Sequence, residues 1–351
     1  MPRVCNSPQG AQGFAPIEAT EFADLMRNLT PCLAGQHIAV AVSGGADSLC
    51  LCLLAKAWAD VQGILLTALT VDHGLRAESS AEAAQVAGWM QAHDIPHHIL
   101  TWTHQDDVHS NIQARARQAR YGLMADWCRK FEAKVLFVAH HLNDQAETVL
   151  MRLNKSSTLF GLSAMSVMRD EQGVVLFRPL LNIDKERLVG TLQKQGQNWI
   201  EDPSNQNTAF ERVRVRQYMD TLNGQGVTAK KLVGAASGAR AVCEIIDTAA
   251  NRLITETSLH AKLDQMRLRI ELLKAPDVIL SRAVSKLLMK QGGGAYPPSP
   301  GKLERLVKWL KCCDLGACDA RTLAGCLIQI RKNEIQIKSE LPRKKCKNRV
   351  E

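Results

Sequence analysis

Residues 43 to 48, Ser43-Gly44-Gly45-Ala46-Asp47-Ser48, set two hydroxyls, two glycines and one carboxylate between an apolar run that starts at Ile38 and the apolar segment Leu49 to Ala59. Glycines let a backbone approach a phosphate with no Cβ in the way. The hydroxyls of Ser43 and Ser48 can donate to its oxygens, and the free N–H groups of a helix start favour an anion. Asp47 would repel a polyphosphate unless a divalent cation stood between them, which makes it the candidate ligand for Mg²⁺. A Gly-rich turn capped by Ser or Asp is the plainer alternative. No Lys follows the glycines and G-x-G-x-x-G is absent, so neither a Walker A loop nor a dinucleotide fingerprint is present.

Four further blocks carry chemistry. Asp72-His73-Gly74-Leu75-Arg76 ends a second apolar run and precedes Glu78, so Asp72 either faces a ligand crevice or caps a turn. In Asn111 to Tyr121, helical spacing puts Gln113, Arg117 and Arg120 on one face, fit for phosphate contact or equally for a solvated basic surface. In His140-His141-Leu142-Asn143-Asp144-Gln145-Ala146-Glu147-Thr148, Asp144 and Glu147 are one helical turn apart. They can offset a helix dipole or hold an ammonium group. The paired histidines invite zinc, but neighbours on a strand end point opposite ways, so zinc is not expected. Finally, Glu201-Asp202-Pro203-Ser204-Asn205 leads to Phe210 to Arg216. Arg212 and Arg216 share a face on a helix, whereas on a strand they align with Arg214 over buried Val213 and Val215. Either geometry makes a basic stripe for RNA or phosphate.

These blocks need a scaffold, and the apolar pattern supplies one. IAVAVS (38 to 43), ILLTALTVD (64 to 72), HHILTW (97 to 102) and KVLFVAH (134 to 140) are strand-length runs with helix-length segments between them. The expected fold is α/β, a doubly wound, Rossmann-like parallel sheet with its ligand crevice at the C-terminal strand ends. The alternation breaks near Asp220, and a second, smaller α+β domain is expected beyond it. There MRLRIELL alternates with period two, PDVILSRAVSKLLMK reads as an amphipathic helix and GGGAYPPSPG as a loop. Leu303, Leu306, Val307 and Leu310 stripe another helix, and CLIQIRKNEIQIK resembles a hairpin. The expected division is a lead-in at 1–37, an α/β domain at 38–222, a smaller domain at 223–340 and a basic tail at 341–351.

The chain has 351 residues, and 44 Lys plus Arg against 35 Asp plus Glu leave a net charge of +9, which favours a polyanionic partner such as nucleic acid. No apolar run is long enough to span a bilayer, and none reads as a secretion signal, so no membrane is expected and the compartment is read as cytoplasmic. The 11 Cys include no C-x-x-C pair, which favours reduced thiols over zinc ribbons or redox sites.

SGGADS resembles the pyrophosphate loop of the N-type ATP pyrophosphatases, the PP-loop superfamily. Taken in order with DHGLR, NIQARARQARY, HHLNDQAETVLMRL and EDPSN with its trailing arginines, it resembles the bacterial tRNA(Ile)-lysidine synthetases across residues 38 to 216. That resemblance implies ATP-dependent ligation of free L-lysine to the wobble cytidine of a CAU-anticodon tRNA(Ile). The cytosine C2 oxygen is adenylated first, and the lysine ε-amine then displaces AMP. It implies that Ser43, Gly44, Gly45, Ala46, Asp47 and Ser48 bind ATP with Asp47 on Mg²⁺, and that Asp144 and Glu147 bind lysine. Arg117 and His140 would act at the reacting centre, with Arg120, Arg212 and Arg216 on tRNA or phosphate. A homodimer is compatible with it. The chain departs from the family at Asn143, at Lys155-Ser156-Ser157-Thr158 and at Val213. The alternatives are a tRNA thiolase of the same superfamily and a non-catalytic RNA-binding relative.

Overall fold

The computed structural model describes residues 4–5, 14–27, 29, 33, 35–74, 78–103, 112–155, 158–202, 207–259, 265–294, 297–313, 320–331 and 333–340. Leu75, Arg76, Asn111, Ser156, Ser157, Pro203 to Asn205 and the basic tail lie outside these residues. The chain divides into two compact units, Met1–Ser156 with Ala164–Ala236, and Ser157–Ser163 with Ser237–Glu351.

The first unit runs β1 (Val4–Cys5), α1 (Ala19–Met26), β2 (His37–Ala41), α2 (Ala46–Gln62), β3 (Leu65–Asp72), α3 (Ser79–Ala92), β4 (His97–Thr101), α4 (Ile112–Lys130), β5 (Ala133–Phe137) and α5 (Leu142–Asn154). A single helical turn, α6 (Leu159–Leu162), belongs to the second unit. The first then resumes with β6 (Met168–Glu171), β7 (Val174–Phe177), α7 (Lys185–Lys194), β8 (Trp199–Ile200) and α8 (Glu211–Gly224). Its main sheet has the order β4-β3-β2-β5-β7-β6. All neighbours are parallel except β6, which returns antiparallel on β7.

All four expected runs are strands, and alternation decides which face each side chain meets. Ile38 and Val40 of β2 and Val135 and Phe137 of β5 enter one core with α1, α2 and α7. Ala39 and Leu136 point the other way, against Tyr121, Met124 and Trp127 of α4. The two runs not anticipated, β6 and β7, form a hairpin whose turn residues Gln172 and Gly173 both have positive φ (55° and 82°), the backbone that a two-residue turn between twisted strands requires. Charged Arg169, Asp170 and Glu171 then line the sheet edge, where they oppose pairing with another strand.

The described residues within the lead-in expected at 1–37 belong to the first unit. Phe22 and Met26 of α1 are fully buried in the first core. Arg187 of α7 donates to both oxygens of Glu21 (2.7 and 2.6 Å), and the Ile17 N–H donates to Thr191 Oγ1 (2.9 Å). Strand β1 pairs antiparallel with β8.

The second unit takes the C-terminal part of α9 (Ala229–Thr257), then β9 (Gln265–Arg269), a 3₁₀ turn (Ile270–Lys274), α10 (Asp277–Gly292), α11 (Pro300–Cys312), β10 (Ala320–Leu323), β11 (Cys326–Arg331) and β12 (Glu334–Ser339). Its antiparallel sheet has the order β10-β11-β12-β9. Leu280, Val284, Leu287 and Leu288 of α10 and Leu306, Val307 and Leu310 of α11 pack on Ile328, Ile330, Ile335 and Ile337. The expected hairpin, helices and stripe are present. MRLRIELL is a strand only as far as Arg269, and the contact division falls inside α9, C-terminal to the expected 222/223 boundary.

Candidate active site

In the order β4-β3-β2-β5-β7, the connections from β2 run one way across the sheet and those from β5 the other. Loops after two such neighbouring strands diverge and leave a crevice between them. The first carries Ser43 to Ser48. The Ser43 N–H donates to Ser48 Oγ (3.1 Å), the two hydroxyl oxygens lie 3.2 Å apart, and the Ser48 hydroxyl donates to the Gly45 carbonyl (3.0 Å). Gly44 has φ 85°, and a Cβ there would stand 2.9 Å from both Ile200 Cδ1 and Val86 Cγ2, so glycine is required twice over. The Ile200 N–H in turn donates to the Gly44 carbonyl (2.9 Å). Gly45 is the N-cap of α2 and makes no side-chain cap, so the first N–H groups of that helix have no side-chain acceptor from it.

Asp47, in the first turn of α2, meets the second loop. Its Oδ2 lies 3.5 Å from His141 Nε2, which is 3.4 Å from Asp144 Oδ2. His141 is 2% exposed. Burial works against its charge, but the Asp47 and Asp144 carboxylates outweigh it and hold its pKa above the usual value. Asp144 accepts the His141 N–H (3.2 Å), one half of a capping pair at the start of α5. Burial alone would raise Asp144; His141, His140 and Arg212 bring it below the ordinary carboxylate range.

One turn along α5, Glu147 is 2% exposed. Its Oε1 accepts from Arg216 Nε (2.5 Å), and Arg212 Nε stands 3.4 Å from Oε2. Both arginines sit on α8, so the helical alternative for that stripe is the one realised, with Val213 turned into the protein. Arg214 bonds instead to the carbonyls of Thr208 and Ala209. Two buried carboxylate oxygens in this cluster, Asp47 Oδ1 and Glu147 Oε2, make no hydrogen bond among the described residues.

At the end of β3, the capping alternative for Asp72 is realised. Its oxygens accept from Ser79 Oγ (2.6 Å), Ser80 Oγ (2.7 Å) and the Gly74 N–H (2.9 Å). His73 accepts from Arg120 Nε (3.3 Å), and burial with the Arg120 charge pushes it down to about 4 despite Asp72. Arg117 is exposed, its guanidinium 5.0 Å over the Tyr121 ring. No group of three or more His, Cys, Asp or Glu among the described residues is arranged to hold a metal ion unaided.

Four side chains outside the set of candidate site residues belong to the site's framework. Arg178, after β7, is 5% exposed and donates to His140 Nδ1 (3.2 Å) and to the Ser166 carbonyl (2.8 Å). Gln145 exchanges both bonds with the Met165 backbone (3.2 and 2.7 Å). Asn143, one of the departures, accepts the Lys185 N–H at the start of α7 (3.3 Å), and Lys155, another, pairs with Glu211 (2.9 Å). FRPL, which holds Arg178, followed an apolar run and was the available signal.

The chain is similar to several known proteins. Residues 16–222 match the family model of the PP-loop domain. A curated relative from Ruegeria pomeroyi named tRNA(Ile)-lysidine synthase is 38% identical over 78% of this chain and 66% of its own length. Relatives of that name from Rhodopseudomonas palustris and Bradyrhizobium diazoefficiens are 35% and 34% identical; they cover 93% and 92% of this chain and 97% and 94% of their own lengths. Among solved structures, the U34-tRNA thiolase NcsA from Methanococcus maripaludis aligns with a TM-score of 0.53 at 16% identity, over 70% of this chain and 88% of that one, a likeness of fold alone. A PP-loop sheet whose relatives match it nearly end to end leaves one assignment: the chain belongs to the tRNA(Ile)-lysidine synthase family.

Proposed function

We infer that the chain is a ligase that joins L-lysine to C2 of the wobble cytidine of the CAU-anticodon tRNA(Ile), through an adenylated cytidine, with release of pyrophosphate and AMP. Lysidine pairs with adenosine, so the codon read changes from AUG to AUA. The observation that carries this reading beyond the family match is Asp47 Oδ1, a buried carboxylate oxygen with no hydrogen bond among the described residues, in a cluster of charged side chains. Buried acceptors in a native structure are almost always satisfied, so this one points to a cationic ligand.

Ser43, Ser48 and the N-terminus of α2 are assigned to the ATP phosphates, with Gly44, Gly45 and Ala46 giving the close approach. Asp47 Oδ1 suits Mg²⁺, which habitually takes one carboxylate with phosphate oxygens and water. Bound there, the ion would neutralise phosphate charge. Asp144 and Glu147 are assigned to the lysine ammonium, and Arg117, Arg120, Arg212 and Arg216 to phosphates of ATP or tRNA. The chemistry needs two steps because the cytosine C2 oxygen is a poor leaving group. As an adenylate it departs with AMP when the lysine Nε bonds to C2. Residues 223–340 are assigned to recognition of the tRNA. A cytoplasmic setting goes with this reading, and no described helix is long and apolar enough to cross a membrane.

A thiolase would need a reactive thiol near the crevice. Burial pushes Cys50, Cys52 and Cys128 up to about 12, so they stay protonated at neutral pH. The test is incorporation of radiolabelled lysine into a CAU-anticodon tRNA(Ile) transcript, with and without ATP, beside a tRNA(Met) control. ATP-dependent labelling of the first alone is expected. ATP cleavage without labelling would overturn lysine as the nucleophile, and no turnover at all would favour an RNA-binding relative.

A further inference from the structure

His140 and His141 are adjacent, yet their surroundings assign them opposite states. His141 Nε2 faces two carboxylates. His140 Nδ1 faces the Nε–H of Arg178. A guanidinium is a donor only and keeps its proton at any pH a protein survives. An N–H aimed at Nδ1 therefore requires a lone pair on that nitrogen, and the single proton of a neutral imidazole must then sit on Nε2. We propose that Arg178 is a positioning residue that locks His140 in this tautomer, so that His140 serves the ligation as an Nε2–H donor to a phosphate oxygen and not as the base that takes the lysine proton.

Arg178 is held for this role from several sides. It is 5% exposed, its backbone N–H donates to the Val167 carbonyl (2.9 Å), and its Nη1 donates to the Ser166 carbonyl, a bond the guanidinium would lose on swinging away. The charges around His140 agree. Burial comes first, then Arg178, Arg117 and Arg212, which push it down to about 4 against the pull of Asp144. A protonated His140 would set an N–H against the Arg178 N–H. The lysine proton accordingly leaves by a route that does not end on His140. The role rests on the lysine-ligation reading; the tautomer does not.

Two measurements test it. Nitrogen NMR of ¹⁵N-histidine-labelled full chain, without substrates, should show His140 with an unprotonated Nδ1 and a protonated Nε2 down to about pH 5. In Arg178→Met the lock should be lost and the titration should rise toward 6.5, while Arg178→Lys, which restores a donor, should recover part of the wild-type pattern. For ligation, His140→Gln keeps an N–H near the Nε2 position without a basic nitrogen. It should retain lysine incorporation within about tenfold of wild type, while His140→Ala should lose roughly a hundredfold or more, as for loss of one donor to a developing anion. An unchanged tautomer and titration in Arg178→Met overturns the lock. A His140→Gln as inactive as His140→Ala, with ATP cleavage intact, overturns the donor role in favour of a base. If wild type incorporates no lysine, the ligation reading fails, and the NMR result still decides the tautomer.

Discussion

The ends of β3 and β5 carry the same residue types in the same setting. Each has an aspartate and a histidine where a parallel strand turns into a helix, and at each an arginine Nε donates to the histidine ring. Burial with a neighbouring guanidinium pushes both His73 and His140 to about 4. The difference lies in where the carboxylate oxygens go. Asp72 accepts three hydrogen bonds, from two serines and a backbone N–H, and its charge is consumed in fastening α3. At β5, Asp47, Asp144 and Glu147 gather around His141, Arg212 and Arg216, and two buried oxygens still lack a hydrogen bond. Strand-end position does not by itself separate a cap from a ligand site; the accounting of acceptors does.

Breaking that comparison starts with its largest effect. Asp47→Ala should lower tRNA-dependent AMP formation per folded molecule by roughly 10²–10³, the scale for losing one preorganised charge-stabilising group. Wild-type AMP formation in that variant would remove Asp47 from the ligand side. Glu147→Gln should raise the lysine KM by roughly tenfold to a hundredfold, the equivalent of one hydrogen bond to a charged group, with ATP affinity kept. A normal lysine KM with lost ATP binding would reassign that carboxylate. Asp72→Ala should behave oppositely, costing about 1–3 kcal/mol of stability by leaving two serine hydroxyls and the Gly74 N–H without their acceptor, while AMP formation per folded molecule stays within about threefold. Catalytic loss without thermal destabilisation would make β3 a ligand site after all.

A graded effect concerns acid. His73 and His140 refuse in the fold a proton that the unfolded chain accepts near 6.5. Their contribution to stability is complete above that pH and is lost as the pH falls toward about 4, by at most about 1.4 kcal/mol per pH unit for each group. His141, shifted upward, contributes with the opposite sign. Thermal melts of His73→Gln and His140→Gln between pH 6.5 and 4 should each show a shallower decline than wild type. Equal slopes in all three proteins would show that the fold holds neither histidine neutral, and a shallower decline in only one variant would show that the two are not alike.

Much of the scaffold was legible because period-two burial writes itself into short apolar runs, as at Ile38, Val40, Val135 and Phe137. The loop at Ser43 to Ser48 was legible because its residues are contiguous. Other elements carried weaker marks. The β10–β11 hairpin turns on Ala324 and Gly325, both at positive φ, and alanine gives no warning of such a turn. The edge strand β6 is mostly charged. Capping by Asp72 depended on Ser79 and Ser80, outside the DHGLR block, and Arg178 meets His140 only through the sheet, so no local pattern joins them.

The contact between Gly44 and Ile200 bears on how the protein is made. The loop that follows β2 acquires its shape only when β8, far along the chain, supplies its N–H and its side chain, and β8 is itself paired with the strand at residues 4 and 5. Contacts of such long sequence separation form late, since the intervening chain must be closed first. A nascent or truncated chain ending before Trp199 would already contain every strand of the main sheet and still present a phosphate loop without its brace, so nucleotide affinity should arrive as a terminal event of folding.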